Sequence, residues 1–121
     1  MSDNYDEGKA AYDARDYETA FTILKPLAEQ GHAEAQYNLG IMYEFGQGIE
    51  QDSKEAAKWF YMAAEQGFVK AQYNLGAMYG NGEGVEKDSK EAAQWILMAA
   101  EQRHTDAQYK LGLIYGLCED L

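Results

Sequence analysis

Ala35-Gln-Tyr-Asn-Leu-Gly40 is the stretch that decides the fold, because it returns as Ala71-Gln-Tyr-Asn-Leu-Gly76 and as Ala107-Gln-Tyr-Lys-Leu-Gly112. Each copy begins 36 residues after the previous one, at positions 35, 71 and 107. A second block, which begins as Ala63-Ala-Glu-Gln-Gly67 and Ala99-Ala-Glu-Gln-Arg103, keeps the same spacing. Self-similarity at such a period is the signature of stacked supersecondary units. The functional question is therefore which surface binds a partner, rather than where an active site lies.

The hydrophobic pattern of each unit predicts two helices separated by a glycine-rich loop. In the second unit the apolar residues recur at helical spacing on one face of each helix. Gly46 begins the loop that separates the helices, and Asp52 with Glu55 resembles a capping box at the start of the second helix. Gly67 stands where a left-handed residue would end that helix. The two apolar faces consist of Ala35, Leu39, Met42 and Tyr43, and of Ala56, Trp59, Phe60, Ala63 and Ala64.

The units are about 1–31, 32–67, 68–103 and 104–121, the last one incomplete, and they predict one all-α domain with seven helices. Glycine recurs within the first helices at Gly40, Gly76 and Gly112, where it costs about 1 kcal/mol relative to alanine. We expect that the absent Cβ atoms let the paired helices approach closely. Large side chains should then fill the space between units, and these are Trp59, Phe60, Trp95 and Ile96.

Composition excludes several classes of function. The chain has 121 residues, 46% of them hydrophobic, and 21 Asp and Glu against 10 Lys and Arg, for a net charge of −11. Nucleic acids and anionic membrane surfaces would repel such a protein. Cys118 has no partner for an internal disulfide, and His32 and His104 stand alone in turns, so neither a metal nor a cofactor is expected. No nucleotide-binding or nucleophile motif is present, which argues against an enzyme.

The sequence contains no apolar run of membrane-spanning length, and its first residues lack a signal-peptide pattern. We therefore expect no membrane association and a cytoplasmic location. The alternative is a periplasmic or secreted protein whose signal peptide is missing from this chain.

The pattern resembles the Sel1-like repeat family, a relative of the tetratricopeptide repeats. The resemblance rests on the three six-residue copies, on Tyr43-Glu-Phe-Gly-Gln-Gly-Ile-Glu-Gln-Asp52 and on Ala56-Ala-Lys-Trp-Phe60, and Arg103 departs from it by replacing a glycine. It implies a right-handed α-α superhelix, a solenoid of about three and a half helix pairs. It further implies that the first helices line a concave face, which binds peptides or partner proteins without catalysis.

A second stripe on the first helices provides the candidate binding residues. Stacking of the units would place four tyrosines in a row with polar residues beside them. Asparagine offers a donor and an acceptor to a peptide backbone, and tyrosine offers rigid amphipathic contact area. The predicted site consists of Tyr5, Lys9, Tyr37, Asn38, Ile41, Tyr73, Asn74, Ala77, Tyr109, Lys110 and Leu113. The tyrosines are more typical of packing between helices, whereas the asparagines have no evident packing role in the sequence.

The sequence disfavours an enzyme and leaves two functions open. The first is an adaptor or scaffold that binds a protein segment in its concave face. The second is a solenoid that associates with itself as a weak homodimer, or a fragment of a longer repeat protein of the bacterial envelope. The incomplete last unit supports self-association, since Leu111, Ile114 and Leu117 lack a covering second helix, and exposed apolar patches often mark interfaces.

Overall fold

The computed structural model describes the backbone of residues 3–102 and 104–115, and the side chains of residues 4–102 and 104–113. These ranges contain seven α-helices and no strand. The helices are α1 (Asp3–Asp13), α2 (Tyr17–Glu29), α3 (Ala33–Phe45), α4 (Ser53–Glu65), α5 (Val69–Asn81), α6 (Ser89–Glu101) and α7 (Thr105–Tyr115). Each helix packs chiefly against its neighbours in the chain, which is the arrangement of a helical solenoid. The all-α solenoid predicted from the repeat is confirmed.

The predicted helix boundaries follow from local hydrogen bonding. Asp52 accepts hydrogen bonds from the backbone N–H groups of Lys54 at 3.0 Å and Glu55 at 3.2 Å, and so caps α4. Asp88 caps α6 in the same way. Gly46 ends α3 in the left-handed conformation, with φ of 65°. A residue without Cβ adopts this conformation at no steric cost, so the loop can begin directly after Phe45.

The glycines inside the first helices allow close packing against the second helices. A Cβ at Gly40 would lie 2.6 Å from the Phe60 ring, and one at Gly76 would lie 2.7 Å from Cδ1 of Ile96. Real Cβ atoms do not approach other atoms this closely, so the expected close approach of the paired helices is confirmed. Phe60 and Ile96 thus pack within their own helix pair. Phe60 also shares a buried cluster with Ala71 of the next unit.

Among the described residues, three buried clusters form the core, one at each junction between units. The first contains Trp59, which is 5% exposed, together with Ala20 and Leu24 of the first unit. The second surrounds Phe60, and half-buried Trp95 packs against it. The third contains Ile96 and Ala107. The prediction that the tryptophans lie between units is therefore confirmed, with Trp59 more deeply buried than Trp95.

Buried glutamines link three successive helices by hydrogen bonds. Nε2 of Gln36 donates to the carbonyl oxygen of Ala28 at 3.0 Å, and Oε1 of Gln36 accepts from Nε2 of Gln66 at 2.8 Å. The next unit repeats both bonds through Gln72 and Gln102. Because Gln36 and Gln72 are each 1% exposed, these bonds satisfy groups that would be costly to bury alone.

Candidate protein-binding face

The surface formed by α1, α3, α5 and α7 carries the predicted stripe, and we call it the first-helix face. Its best-defined contact joins α1 to the next unit. The ring of Tyr5 stacks on His32, with ring centroids 4.7 Å apart and an interplanar angle of 17°. The Tyr5 hydroxyl accepts a hydrogen bond from Nδ2 of Asn38 at 2.9 Å and donates to Glu34 at 3.2 Å. Tyr5 therefore holds the first two units together.

The same arrangement recurs at the next two junctions. Tyr37 packs on Phe68 with ring centroids 5.2 Å apart, and Tyr73 stacks on His104 at 4.6 Å and 17°. The aromatic partner is in each case the N-cap residue of the following first helix or its equivalent, at positions 32, 68 and 104. Both histidines also accept a hydrogen bond through Nδ1, His32 from the Ala35 backbone and His104 from that of Ala107.

A polar residue six positions beyond each N-cap lies against the tyrosine of the preceding unit. Asn38 holds this place for Tyr5, and the Nζ of Lys110 lies 5.9 Å from the ring centroid of Tyr73. Burial raises the pKa of Tyr37, and the nearby side chain of Asn74 opposes the rise. The interpretation that the asparagines have no packing role is wrong for Asn38, which is 7% exposed, because its amide satisfies a half-buried hydroxyl group.

The predicted site residues differ in how accessible they are to a partner. Tyr109 and Leu113 on α7 are 64% and 54% exposed. Lys9 forms an ion pair with Asp13 at 3.0 Å on the surface of α1. The half-buried members of the site are Tyr5, Lys9, Tyr37, Ile41, Tyr73, Asn74, Ala77 and Lys110. A partner could therefore reach part of every predicted residue except Asn38, although the tyrosines already have packing partners.

Two grooves lie between successive first helices. The α3–α5 groove has a volume of about 350 Å³ and is lined by Ile41, Phe45 and Ala77 among its apolar residues. The α5–α7 groove has a volume of about 530 Å³, and its lining includes Gly76, Ala77, Lys110 and Leu113 together with Ile96 of α6. Ile41, Asn74, Ala77, Lys110 and Leu113 of the predicted site thus come together at grooves.

Acidic residues in the α3–α5 groove were missed by the sequence analysis. Glu44 and Glu83 both line it. Burial raises the pKa of the Glu44 carboxyl group, and the negative charge of Glu83 adds to this rise. Glu44 lies seven residues after Tyr37 and three after Ile41, so it belongs to the same helical face, although the predicted site did not include it. That spacing is the signal that could have revealed Glu44, whereas Glu83 belongs to a loop and joins the groove only once two units are stacked.

Neither a metal site nor a membrane-spanning helix is found in the described part of the chain. Residues 3–102 and 104–115 contain no cluster of three or more His, Cys, Asp or Glu side chains that could hold a metal ion. No helix within those ranges has the length and apolar character needed to cross a bilayer. Arg103, Cys118 and the side chains of Ile114 and Leu117 lie outside the described residues.

The fold and the face define a helical-repeat protein, and comparison with known families identifies the repeat. The Sel1 repeat matches four consecutive segments, residues 1–32, 33–68, 69–104 and 105–118. Because these matches cover nearly the whole chain, it belongs to the Sel1 repeat family. Proteins of this family are generally interaction modules that bind protein partners and are typically not enzymes.

Solved structures support the same assignment. The crystal structure of a Sel1 repeat protein from Oxalobacter formigenes has a TM-score of 0.85 and 42% identity, covering 89% of this chain and 44% of that one. A protective antigen present in uropathogenic Escherichia coli strains, which displays an SLR fold, has a TM-score of 0.89 and 36% identity, covering 93% of this chain and 25% of that one.

Curated relatives match over shorter stretches. Protein sel-1 homolog 2 of Rattus norvegicus is 46% identical over 50 residues, which are 40% of this chain and 7% of that protein. An uncharacterized protein of Neisseria meningitidis serogroup B is 44% identical over 41 residues, which are 34% of this chain and 9% of that protein. The chain thus spans less than a tenth of the length of these curated relatives.

Proposed function

We propose that the first-helix face binds an extended segment of a partner protein, and that the chain acts as an adaptor without catalytic activity. The observation that carries the proposal is the α3–α5 groove, whose lining includes apolar residues and the large aromatic side chain of Phe45. Phe45 is 65% exposed, although burying such a ring in a partner interface would be favourable. Exposed apolar surface rimmed by polar residues is typical of protein interaction sites.

The arrangement of the grooves favours a segment of chain over a small molecule, because their volumes alone would suit either. Volumes of about 350 and 530 Å³ lie in the lower part of the range of roughly 300–1,000 Å³ that encloses small ligands. The two grooves share Ala77 and lie side by side along the stacked first helices. An extended peptide could therefore place successive side chains in both.

Peptide display tests this proposal directly. Random peptides of about twelve residues would be selected on the protein, and the enriched sequences would be synthesised and titrated by fluorescence anisotropy. We expect Phe45→Ala to weaken binding at least about tenfold, because an aromatic side chain at the centre of an interface commonly carries this much binding energy.

The matched control is Leu97→Ala, which removes an apolar side chain that is 38% exposed on a second helix. This variant should leave the affinity within about twofold. Failure to enrich any peptide, or equal losses in the two variants, would contradict binding at the first-helix face.

Self-association through the last helix is the second candidate, since Tyr109 and Leu113 expose apolar surface on α7. Leu111 packs against the third buried cluster, so Tyr109 and Leu113 are the accessible apolar side chains among the described residues of α7. Sedimentation equilibrium at low and high salt tests this candidate. Salt should strengthen the dimer by screening the repulsion between chains of charge −11, and a strict monomer under both conditions would contradict it.

A further inference from the structure

The α3–α5 groove combines an apolar floor with carboxylates. Met78, which is 2% exposed, and the half-buried Ile41 and Ala77 provide the apolar lining. Glu44 approaches from α3 and Glu83 from the loop after α5. The groove is therefore amphipathic, and its charged groups have one sign.

These carboxylates form no ion pair with any of the described side chains. The ion pairs found among the described side chains are Lys9–Asp13 and Lys58–Glu55, and neither includes Glu44 or Glu83. Burial and the charge of Glu83 both raise the pKa of Glu44, which means that its charged form is held in an unfavourable environment. A cation bound between the two carboxylates would relieve this cost.

The acidic character belongs to this groove and does not simply reflect the net charge of the chain. One repeat later, Gly80 takes the place of Glu44, and Lys110 takes the place of Asn74. As far as the described residues line it, the α5–α7 groove therefore carries the positive charge of Lys110, with Gly80 at the position of Glu44. The two grooves would select different side chains of a bound segment.

We propose that the α3–α5 groove binds a lysine or arginine side chain of the partner segment, next to a large apolar residue that covers Phe45. This inference rests on the proposed function, and it specifies the chemistry of the partner. Lysine and arginine have an apolar stem and a cationic head, so the stem would lie on Ile41 and Ala77 while the head lies between Glu44 and Glu83. The amide of Asn81, which also lines the groove, could accept a further hydrogen bond from the head.

The selected peptides provide the test, and we expect them to contain Lys or Arg adjacent to a large apolar residue. The double variant Glu44→Gln with Glu83→Gln should weaken their binding by about tenfold or more. The control Glu29→Gln with Glu101→Gln removes the same amount of charge from exposed positions on second helices, and it should change the affinity less than about twofold. This pair separates a local contact from the general attraction of an acidic protein for basic peptides.

A double-mutant cycle identifies the contact itself. Replacing the basic residue of the peptide by methionine should weaken binding to the wild-type protein but have little effect on the Glu44→Gln, Glu83→Gln variant. Peptides that lack Lys and Arg but still depend on Phe45 would overturn this inference and leave the proposed function standing. Equal effects of the two charge variants would overturn it as well. Peptides that bind independently of Phe45, or no peptides at all, would overturn both.

Discussion

The core and the first-helix face of this solenoid are built by different rules. In the core, glycine faces a large side chain at van der Waals distance, as Gly40 does with Phe60, and little space is left. On the first-helix face, the ring of Tyr5 stacks on His32 and its hydroxyl group accepts a hydrogen bond from Asn38. The difference shows why a repeat protein can keep its fold while its face varies. The core depends on volume, whereas the face depends on a few polar contacts that leave grooves open.

The largest expected effect lies in the core at Trp59. We expect Trp59→Ala to lower the free energy of unfolding by about 3–5 kcal/mol, because a buried aromatic side chain is removed and a cavity remains. Its Nε1 atom is buried without a hydrogen-bond partner, so the loss is one of apolar packing. Urea unfolding followed by circular dichroism measures the change. Phe45→Ala on the face, where the ring is 65% exposed, should cost under about 0.5 kcal/mol, and similar losses at both positions would refute the contrast.

Alanine substitutions at two glycines of the first helices should change the stability of the protein in opposite directions. Gly40→Ala should destabilise the protein by about 1–3 kcal/mol, since the new Cβ would overlap the Phe60 ring. Gly80→Ala should stabilise it by up to about 1 kcal/mol, because alanine is the better helix former. A Cβ at Gly80 would lie 3.7 Å from Cβ of Ala92, an ordinary contact. Thermal unfolding of both variants measures the difference. A change of the unfolding temperature in the same direction for both variants would show that Gly40 does not differ from Gly80 in how closely the paired helix approaches.

The asparagines of the face should differ from each other in their effect on stability. Asn38→Ala removes the group that donates to the Tyr5 hydroxyl, and it should cost about 1 kcal/mol. Asn81→Ala is the control, because Asn81 is exposed and ends α5 on the same face, and it should be nearly neutral. Chemical denaturation of Asn38→Ala in wild-type and Tyr5→Phe backgrounds measures the coupling. Additive losses would mean that the hydrogen bond contributes nothing.

The smallest expected effect concerns alkaline pH. Burial raises the pKa of Tyr5 to about 12 from its ordinary value of 10.0, although a hydrogen bond from Asn38 opposes the rise. Since the unfolded chain loses this proton first, stability should fall as the pH rises from about 10 towards 12. Tyr5→Phe should make that fall shallower without abolishing it, because burial also raises the pKa of Tyr12 and Tyr37. Urea midpoints of both proteins are compared at about pH 9 and about pH 11. An equal fall of the midpoint in the two proteins would contradict the raised pKa of Tyr5.

The sequence predicted the fold well because its signals are local and repeated. Three signals each indicate a contact within one helix pair. They are the glycine that ends each six-residue copy, the aspartate caps and the spacing of the apolar residues. The contacts between units depend on which residues meet after stacking, and spacing along one helix does not encode this. For this reason the stack of Tyr5 on His32 and the place of the Glu83 carboxylate in the α3–α5 groove were not predicted.

The candidate site was predicted only in part. Ile41 and Ala77 were named from the stripe and do line a groove, whereas Asn38 is buried and serves the fold. An exposed polar position on a helical wheel becomes buried when a neighbouring helix covers it. Whether the named residues bind a partner stays a prediction for the peptide experiments.

The glutamine bridges have a consequence for how such a chain can change in length. Gln36 reaches back eight residues to Ala28 and accepts from Gln66, which is 30 residues ahead; Gln72 makes the same two bonds at the same separations. These two junctions thus use the same offsets, so a duplicated block of one full period would find the partners of its buried glutamine already in place. A gene encoding this array could gain or lose whole units by unequal recombination without a redesign of any junction, while an insertion of another length within a helix would leave the buried amides of two units without partners.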